Sequence, residues 1–182
     1  MSLQLEKDAN VSVQTHIDEF SSRFSILIVF WLLISLIWML KVDLILEYII
    51  SILDPCDNNS CSNLYNPAKW SEVRWLSGAL LGFVTLLPII ALQFYKFSRP
   101  GLMKNEAKGL RFWLIFCIIG FICNIIATIV FIMPGLFELG HQIQIELGFV
   151  PKYDIVAMLS MSIGLIWVEV LIVMGILTLL IA

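Results

Sequence analysis

The sequence predicts an all-α protein: a polytopic transmembrane helical bundle with four spans and with both termini in the cytoplasm. Of its 182 residues, 60% are hydrophobic and 14% are charged, whereas an ordinary soluble domain is about 25% charged. The apolar residues are gathered into four long runs, each near the roughly 20 residues that a spanning helix needs. The spans are predicted at about 24–40, 75–95, 112–137 and 155–182.

Each run has a feature that affects its helix. The first run is short, but the Lys41 side chain can extend to the membrane surface at its end. In the second run, Gly78 and Gly82 form a GxxxG pattern that allows close helix contact. That contact could be made within the chain or between copies. The third run has Pro134 near its end, and the fourth is interrupted once, by Glu169.

The basic residues predict how the chain is oriented. Residues 96–111 contain five Lys and Arg and a single acid, Glu106, whereas residues 41–74 contain three basic residues against five acids. Because Lys and Arg are enriched in cytoplasmic loops, 96–111 is predicted to be a cytoplasmic loop, and 41–74 and 138–154 are predicted to be outer loops. The polar segment 1–23 is then cytoplasmic. It lacks the basic start and cleavage site of a secretory signal peptide, so the first span is expected to be retained.

Three residues of the first predicted outer loop are candidates for a disulfide bond or for glycosylation. Cys56 and Cys61 could form a disulfide in an oxidising compartment, or could remain two free thiols. Asn58 begins an Asn-Asn-Ser glycosylation acceptor.

Several functional classes are not supported by the sequence. It contains no Gly-rich phosphate loop, no Ser–His–Asp set and no paired-histidine metal site. Its basic loop residues are not interleaved with aromatic residues on a soluble domain, so they do not suggest nucleic-acid binding. We therefore expect no metal, no cofactor, no enzymatic activity and no nucleic-acid partner.

Polar side chains inside the predicted spans are candidates for function. A charge at mid-bilayer costs about 3 kcal/mol or more, so Glu169 is expected to be protonated or to face a polar partner. Asn124, in the third span, is the nearest comparable polar group. Gln93, near the inner end of the second span, is a weaker candidate because interfacial amides are common.

Two further carboxylates lie at the predicted cytoplasmic face. Glu106 either pairs with the nearby Lys104 and Lys108 or acts as a receptor for a cationic ligand. Glu19 lies four residues before Arg23, an order that stabilises a helix as an intrahelical ion pair and needs no functional explanation.

A family resemblance favours the receptor interpretation. The segment LPIIALQFYKFSRPGLMKNE, residues 87–106, resembles the end of the second helix and the first cytoplasmic loop of the TatC family, the receptor subunit of the twin-arginine (Sec-independent) protein translocase. The family's proline, glutamine, phenylalanine, Pro-Gly-Leu and glutamate correspond to Pro88, Gln93, Phe97, 100–102 and Glu106. His16, Glu19 and Arg23 are similar to its amino-terminal signature, and Glu169 to its intramembrane glutamate. Family members usually have six spans, so this chain resembles a short form or a fragment with four.

The resemblance implies recognition without chemistry on the cargo. It implies that Glu19 and Glu106 bind the two arginines of a signal peptide of a folded protein, that Phe97 shapes the same patch, and that Glu169 is an intramembrane polar contact. It also implies recruitment of TatA/TatB-type single-helix subunits, transport driven by the proton-motive force, an oligomeric assembly, and the cytoplasmic membrane of a prokaryote. Two alternatives stay open: an accessory scaffold subunit of a larger membrane complex, and a proton-coupled carrier using Glu169.

Overall fold

A computed structural model describes residues 13–55, 62–63, 66–99, 102–150 and 152–181. Within these ranges its side chains are described for Asp18 and for residues 21–175, apart from those of Ser62 and Lys104. Six α-helices, a π-helical segment and two short strands make up this part of the chain. In order they are α1 (Val13–Met39), α2 (Val42–Leu53), β1 (Ser62–Asn63), α3 (Pro67–Ser98), α4 (Lys104–Ala127), the π segment (Thr128–Ile132), α5 (Met133–Glu146), β2 (Tyr153–Asp154) and α6 (Ile155–Ile181).

The helices confirm the predicted class of protein. Four helical stretches in the described part are long and apolar enough to cross a membrane: Ser21–Met39, Pro67–Ser98, Asn105–Glu146 and Ile155–Gly175. They correspond to the four predicted spans. The chain is therefore a multi-pass membrane protein, while the side of the membrane that each terminus faces stays a prediction.

α1 and α3 form the closest helix pair, and the GxxxG pattern lies between them. Gly82 faces Ser35, and an added Cβ at Gly82 would lie only 3.0 Å from the Ser35 backbone nitrogen. Gly78 faces the next turn, with the Ser35 carbonyl oxygen 3.3 Å from the position of its missing Cβ. The two glycines thus let the backbones approach each other within one chain, which answers the question that the sequence left open.

A buried apolar core lies at the end of the bundle that carries α2, here called the α2 end. Val42 and Leu46 of α2 are completely buried, as are Val156 and Leu159 at the start of α6. The short helix α2 therefore covers the ends of the spanning helices, in a region where the sequence predicted an outer loop. At the opposite end, here called the Glu106 end, α3 ends and α4 begins.

The third span is longer than the bilayer requires. It is helical over 42 residues, Asn105–Glu146, which is about 63 Å at about 1.5 Å per residue, against a hydrocarbon core of about 30 Å. Its last turns carry polar side chains, including Glu138 and Gln142, which are hydrogen-bonded to each other (3.0 Å). Helical structure thus continues past residue 137, where the predicted span ends.

The π segment lies directly before Pro134. Proline has no backbone N–H, and its ring crowds the carbonyl four residues earlier. At this point Met133 donates its N–H to the Thr128 carbonyl, five residues back, which is the wider π-helical pattern. The proline therefore widens this helix for one turn without ending it.

Capping side chains and a strand pair fix the ends of the helices. The Asn66 side chain accepts hydrogen bonds from the backbone of Ala68 and Lys69 at the start of α3, and the Asp154 carboxylate accepts from Val156 (3.0 Å) at the start of α6. β1 and β2 pair in parallel, with Ser62 opposite Tyr153. This pairing joins the segment before α3 to the segment before α6.

Candidate functional site

Glu106 is an exposed carboxylate in the first turn of α4. Its Oε2 atom accepts a hydrogen bond from the backbone N–H of Met103 (3.0 Å). That N–H belongs to the residue before the helix and has no partner within the helix itself. The described contact of Glu106 is therefore with backbone. The Lys104 side chain lies outside the described residues, so a pairing of Glu106 with its lysine neighbours stays a prediction.

The anchored position suits an anionic group. The amino terminus of a helix carries partial positive charge, which favours a carboxylate there. A carboxylate offers about four acceptor sites on its two oxygens, so one bond to Met103 leaves capacity for a guanidinium group. Glu106 can thus accept a cationic ligand and keep its bond to the helix start.

Phe97 lies near the end of α3 and is half-buried. Together with Arg23 of α1 and Gln93 of α3 it lines a cavity of about 430 Å³ between α1, α3 and α6. Arg23 and Phe97 each have a further contact in the structure. The structure therefore brings the start of the first span and the end of the second span together around one cavity at the Glu106 end.

Glu19 belongs to α1, one helical turn before Arg23. Its side chain lies outside the described residues, so its expected role stays a prediction. The same holds for the disulfide of Cys56 and Cys61 and for the glycosylation of Asn58, all of which fall outside the described ranges.

Glu169 has a partner that the sequence did not indicate. The Thr128 hydroxyl donates a hydrogen bond to Glu169 Oε1 (2.8 Å), and Thr128 is completely buried. The second oxygen, Oε2, is buried and has no hydrogen-bond partner among the described residues. Glu169 is thus held in place through Oε1, while Oε2 is buried and accepts no hydrogen bond from a described residue.

The other intramembrane candidates are placed differently. Asn124, which the sequence suggested as a partner for Glu169, is exposed on α4, one turn before Thr128. Gln93 is half-buried in the wall of the cavity. The three polar residues of the spans therefore do not form one cluster. Sequence analysis missed Thr128, and its four-residue spacing from Asn124 on the same helix could have pointed to it.

A second polar cluster lies at the α2 end. The Tyr153 hydroxyl lies 3.2 Å from His141 Nδ1 and 3.4 Å from Gln144 Oε1, which joins β2 to α5. Burial raises the pKa of Tyr153, and the carboxylate of Glu138 raises that pKa further. Asp43 and Arg74 form a two-pronged ion pair at the same end, with atom pairs at 2.8 and 2.9 Å.

The described residues were also compared with the ligand sets that hold metal ions. Across the residues that the structure describes, no three His, Cys, Asp or Glu side chains are grouped closely enough to hold a metal ion.

Comparison with known proteins assigns the chain to a family. The family model "Sec-independent protein translocase protein (TatC)" matches residues 15–181. A curated relative, the Sec-independent protein translocase protein TatC of Rickettsia prowazekii (strain Madrid E), is 29% identical over 125 residues, which is 68% of this chain and 50% of the relative. The chain thus spans about half the length of that relative. No solved structure matches it. Because the family match runs through all four spans, the chain belongs to the TatC family.

Proposed function

We propose that this protein is a subunit of the Sec-independent translocase that binds twin-arginine signal peptides of folded proteins. In this proposal the two arginines contact Glu19 and Glu106 at the cytoplasmic face, and Phe97 shapes the surface beside them. The protein then recruits TatA/TatB-type single-helix subunits in the cytoplasmic membrane of a prokaryote. Family membership supports the proposal, and the observation that carries it is the exposed, backbone-anchored carboxylate of Glu106.

The chemistry of Glu106 fits an arginine side chain. A guanidinium group is planar and donates two parallel hydrogen bonds to one carboxylate, which makes the pairing geometrically specific. The neighbouring basic residues, Lys104 and Lys108, would repel a loosely bound cation. A ligand must therefore bring both charge and matching geometry, which favours a defined arginine pair over any positive peptide.

The placement of the other proposed residues is consistent with a shared surface. Phe97 and Arg23 line the same cavity, and Glu19 precedes Arg23 by one turn of α1. Glu106, in the first turn of α4, follows Phe97 of α3 by nine residues. All of these residues therefore belong to the Glu106 end of the bundle.

The test must separate arginine binding by Glu106 from its role at the helix start. Glu106→Gln removes the negative charge but retains an oxygen that can accept the Met103 N–H, whereas Glu106→Ala removes both. We expect both variants to weaken photo-crosslinking to a twin-arginine peptide about tenfold. A hydrogen bond to a charged group contributes about 1.5–3 kcal/mol, and each 1.4 kcal/mol is about tenfold.

The matched control is Glu146→Ala, an exposed acid at the far end of the same long helix, which should crosslink like the parent protein. A Lys-Lys version of the peptide should crosslink weakly to every variant. If Glu106→Gln crosslinks normally and Glu106→Ala does not, Glu106 acts only at the helix start and the receptor proposal is wrong. Normal crosslinking in both, with copurification of one fixed large complex, would favour the accessory subunit instead.

A further inference from the structure

We propose that the cavity between α1, α3 and α6 binds one anionic phospholipid, with an acyl chain inside the cavity and the phosphate beside Arg23. The proposal concerns the resting protein and does not depend on signal-peptide binding. It rests on the lining, the length, the width and the charge of the cavity.

The lining is polar at one end and apolar elsewhere. Of its side chains, Arg23 and Gln93 are polar, and both lie toward the Glu106 end. The remaining walls are aliphatic or aromatic, and among them the rings of Phe83 and Trp167 have centroids 6.5 Å apart. An occupant that matches this lining must have one polar end and a long apolar part.

The length of the cavity matches one leaflet of a bilayer. Phe83 and Phe97 both line the cavity, and their separation along α3 corresponds to about 21 Å at about 1.5 Å per residue. The distance from the bilayer midplane to the headgroup region is about 20–22 Å, half of the total thickness. A phospholipid with its phosphate at the level of Phe97 would therefore end its chain near Phe83.

The cavity is too narrow to enclose a helix. Even with its open mouth included, the empty space amounts to about 1260 Å³. A helix with side chains is about 10–12 Å across, so about 21 Å of it would occupy at least about 1650 Å³. A flexible acyl chain is much thinner than a helix and can enter without separating α1 from α3.

The charge at the mouth favours an anionic headgroup. Arg23 lies in the lining, and Lys96, on the last turn of α3, and Arg99, directly after it, are exposed. The acids of α1 and α4 at this end are Asp18, which is exposed, Glu106, whose carboxylate binds the Met103 backbone, and Glu19, one turn before Arg23, whose side chain lies outside the described residues. Basic pockets between transmembrane helices are known to bind anionic headgroups, and this cavity joins such a pocket to an apolar interior.

The experiment measures phospholipid that stays with the purified protein. The chain is incorporated into nanodiscs containing equal amounts of phosphatidylglycerol and phosphatidylcholine and is then released into detergent. Native mass spectrometry measures the mass of the protein together with any phospholipid that stays bound. We expect one retained phospholipid per chain, with phosphatidylglycerol preferred about fivefold, the factor expected for one basic residue at a membrane surface. Arg23→Gln should keep the lipid but lose the preference.

A pair of tryptophan substitutions tests the cavity itself. Leu27→Trp fills the cavity, because Leu27 lines it, whereas Leu33→Trp adds the same bulk on the exposed side of the same helix. Leu27→Trp should remove the retained lipid and Leu33→Trp should not. The proposal is overturned if the parent protein carries no phospholipid, if both tryptophan variants retain it equally, or if the cavity is instead occupied by a second copy, seen as a dimer that Leu27→Trp dissociates.

Discussion

Replacing Gly82 with alanine would place a methyl group at the closest approach between α1 and α3. The new Cβ would clash with the Ser35 hydroxyl and would lie 3.0 Å from the Ser35 nitrogen and 3.1 Å from its Cα. The hydroxyl can rotate away only by giving up its hydrogen bond to the Trp31 carbonyl (2.7 Å), and the backbone atoms can move only if the whole of α1 shifts. Because overpacking of this kind costs about 1–3 kcal/mol, we expect Gly82→Ala to lower the free energy of unfolding by that amount.

Reversible unfolding in mixed micelles measures this change, and two other glycines provide controls. At Gly78 the nearest atom would be 3.3 Å from the new Cβ, and at Gly120 nothing lies within 4 Å. Gly78→Ala should therefore cost less than Gly82→Ala. Gly120→Ala should be neutral or stabilising by about 0.5–1 kcal/mol, because alanine favours a helix over glycine.

The reasoning fails if Gly82→Ala unfolds like Gly120→Ala, or if Gly78→Ala is the more damaging change. The effect should also be independent of protein concentration, since the contact lies within one chain. A concentration-dependent loss would assign the GxxxG pattern to an interface between copies.

Two further predictions concern polar contacts. Thr128→Val should destabilise the protein by about 0.6–1.7 kcal/mol, because it removes an interhelical hydrogen bond to Glu169 within the membrane. In a Glu169→Leu background, where the bond is already absent, the same substitution should cost less, and an equal cost in both backgrounds would contradict the bond. The raised pKa of Tyr153 should appear in an ultraviolet titration of tyrosinate, and Glu138→Gln should lower it. Because the folded pKa lies above the unfolded value of about 10, the stabilisation by Tyr153 is complete below about pH 10 and is lost as the pH rises through the folded pKa. Stability that is flat across this range, or unchanged titration in Glu138→Gln, would contradict the prediction.

The number and position of the spans could be predicted from the sequence because hydropathy alone determines which segments can enter a bilayer. The extent of the helices could not. Residues 138–146 are polar enough to be predicted as a loop, yet they continue the third spanning helix. The helix can continue because one π-helical turn accommodates Pro134, which would otherwise be expected to end it. Helix α2 was missed because 42–53 is shorter than a span and lies in an acidic loop.

The candidate site was only partly predictable, for a related reason. The spacing of Phe97 and Glu106 could be recognised in the linear sequence, but the bond from Glu106 to the Met103 backbone depends on where α4 begins. The partner of Glu169 depends on how α4 and its π segment face α6. Asn124 is the more polar residue, but the register places Thr128 against the carboxylate.

The contacts that link distant segments at the α2 end have a mechanical consequence. There, the strand pair, the ion pair of Asp43 with Arg74 and the hydrogen bonds of Tyr153 join segments far apart in the chain. At the Glu106 end a cavity lies between α1, α3 and α6, and α3 and α6 are the helices that follow the two paired strands. If the spanning helices spread apart, the described cross-links would act as a pivot, and the displacement would grow with distance from them. A load applied near Phe97 would then act on a long lever arm about those cross-links, and α4 would move with α3 because Arg111 lies over the Tyr95 ring.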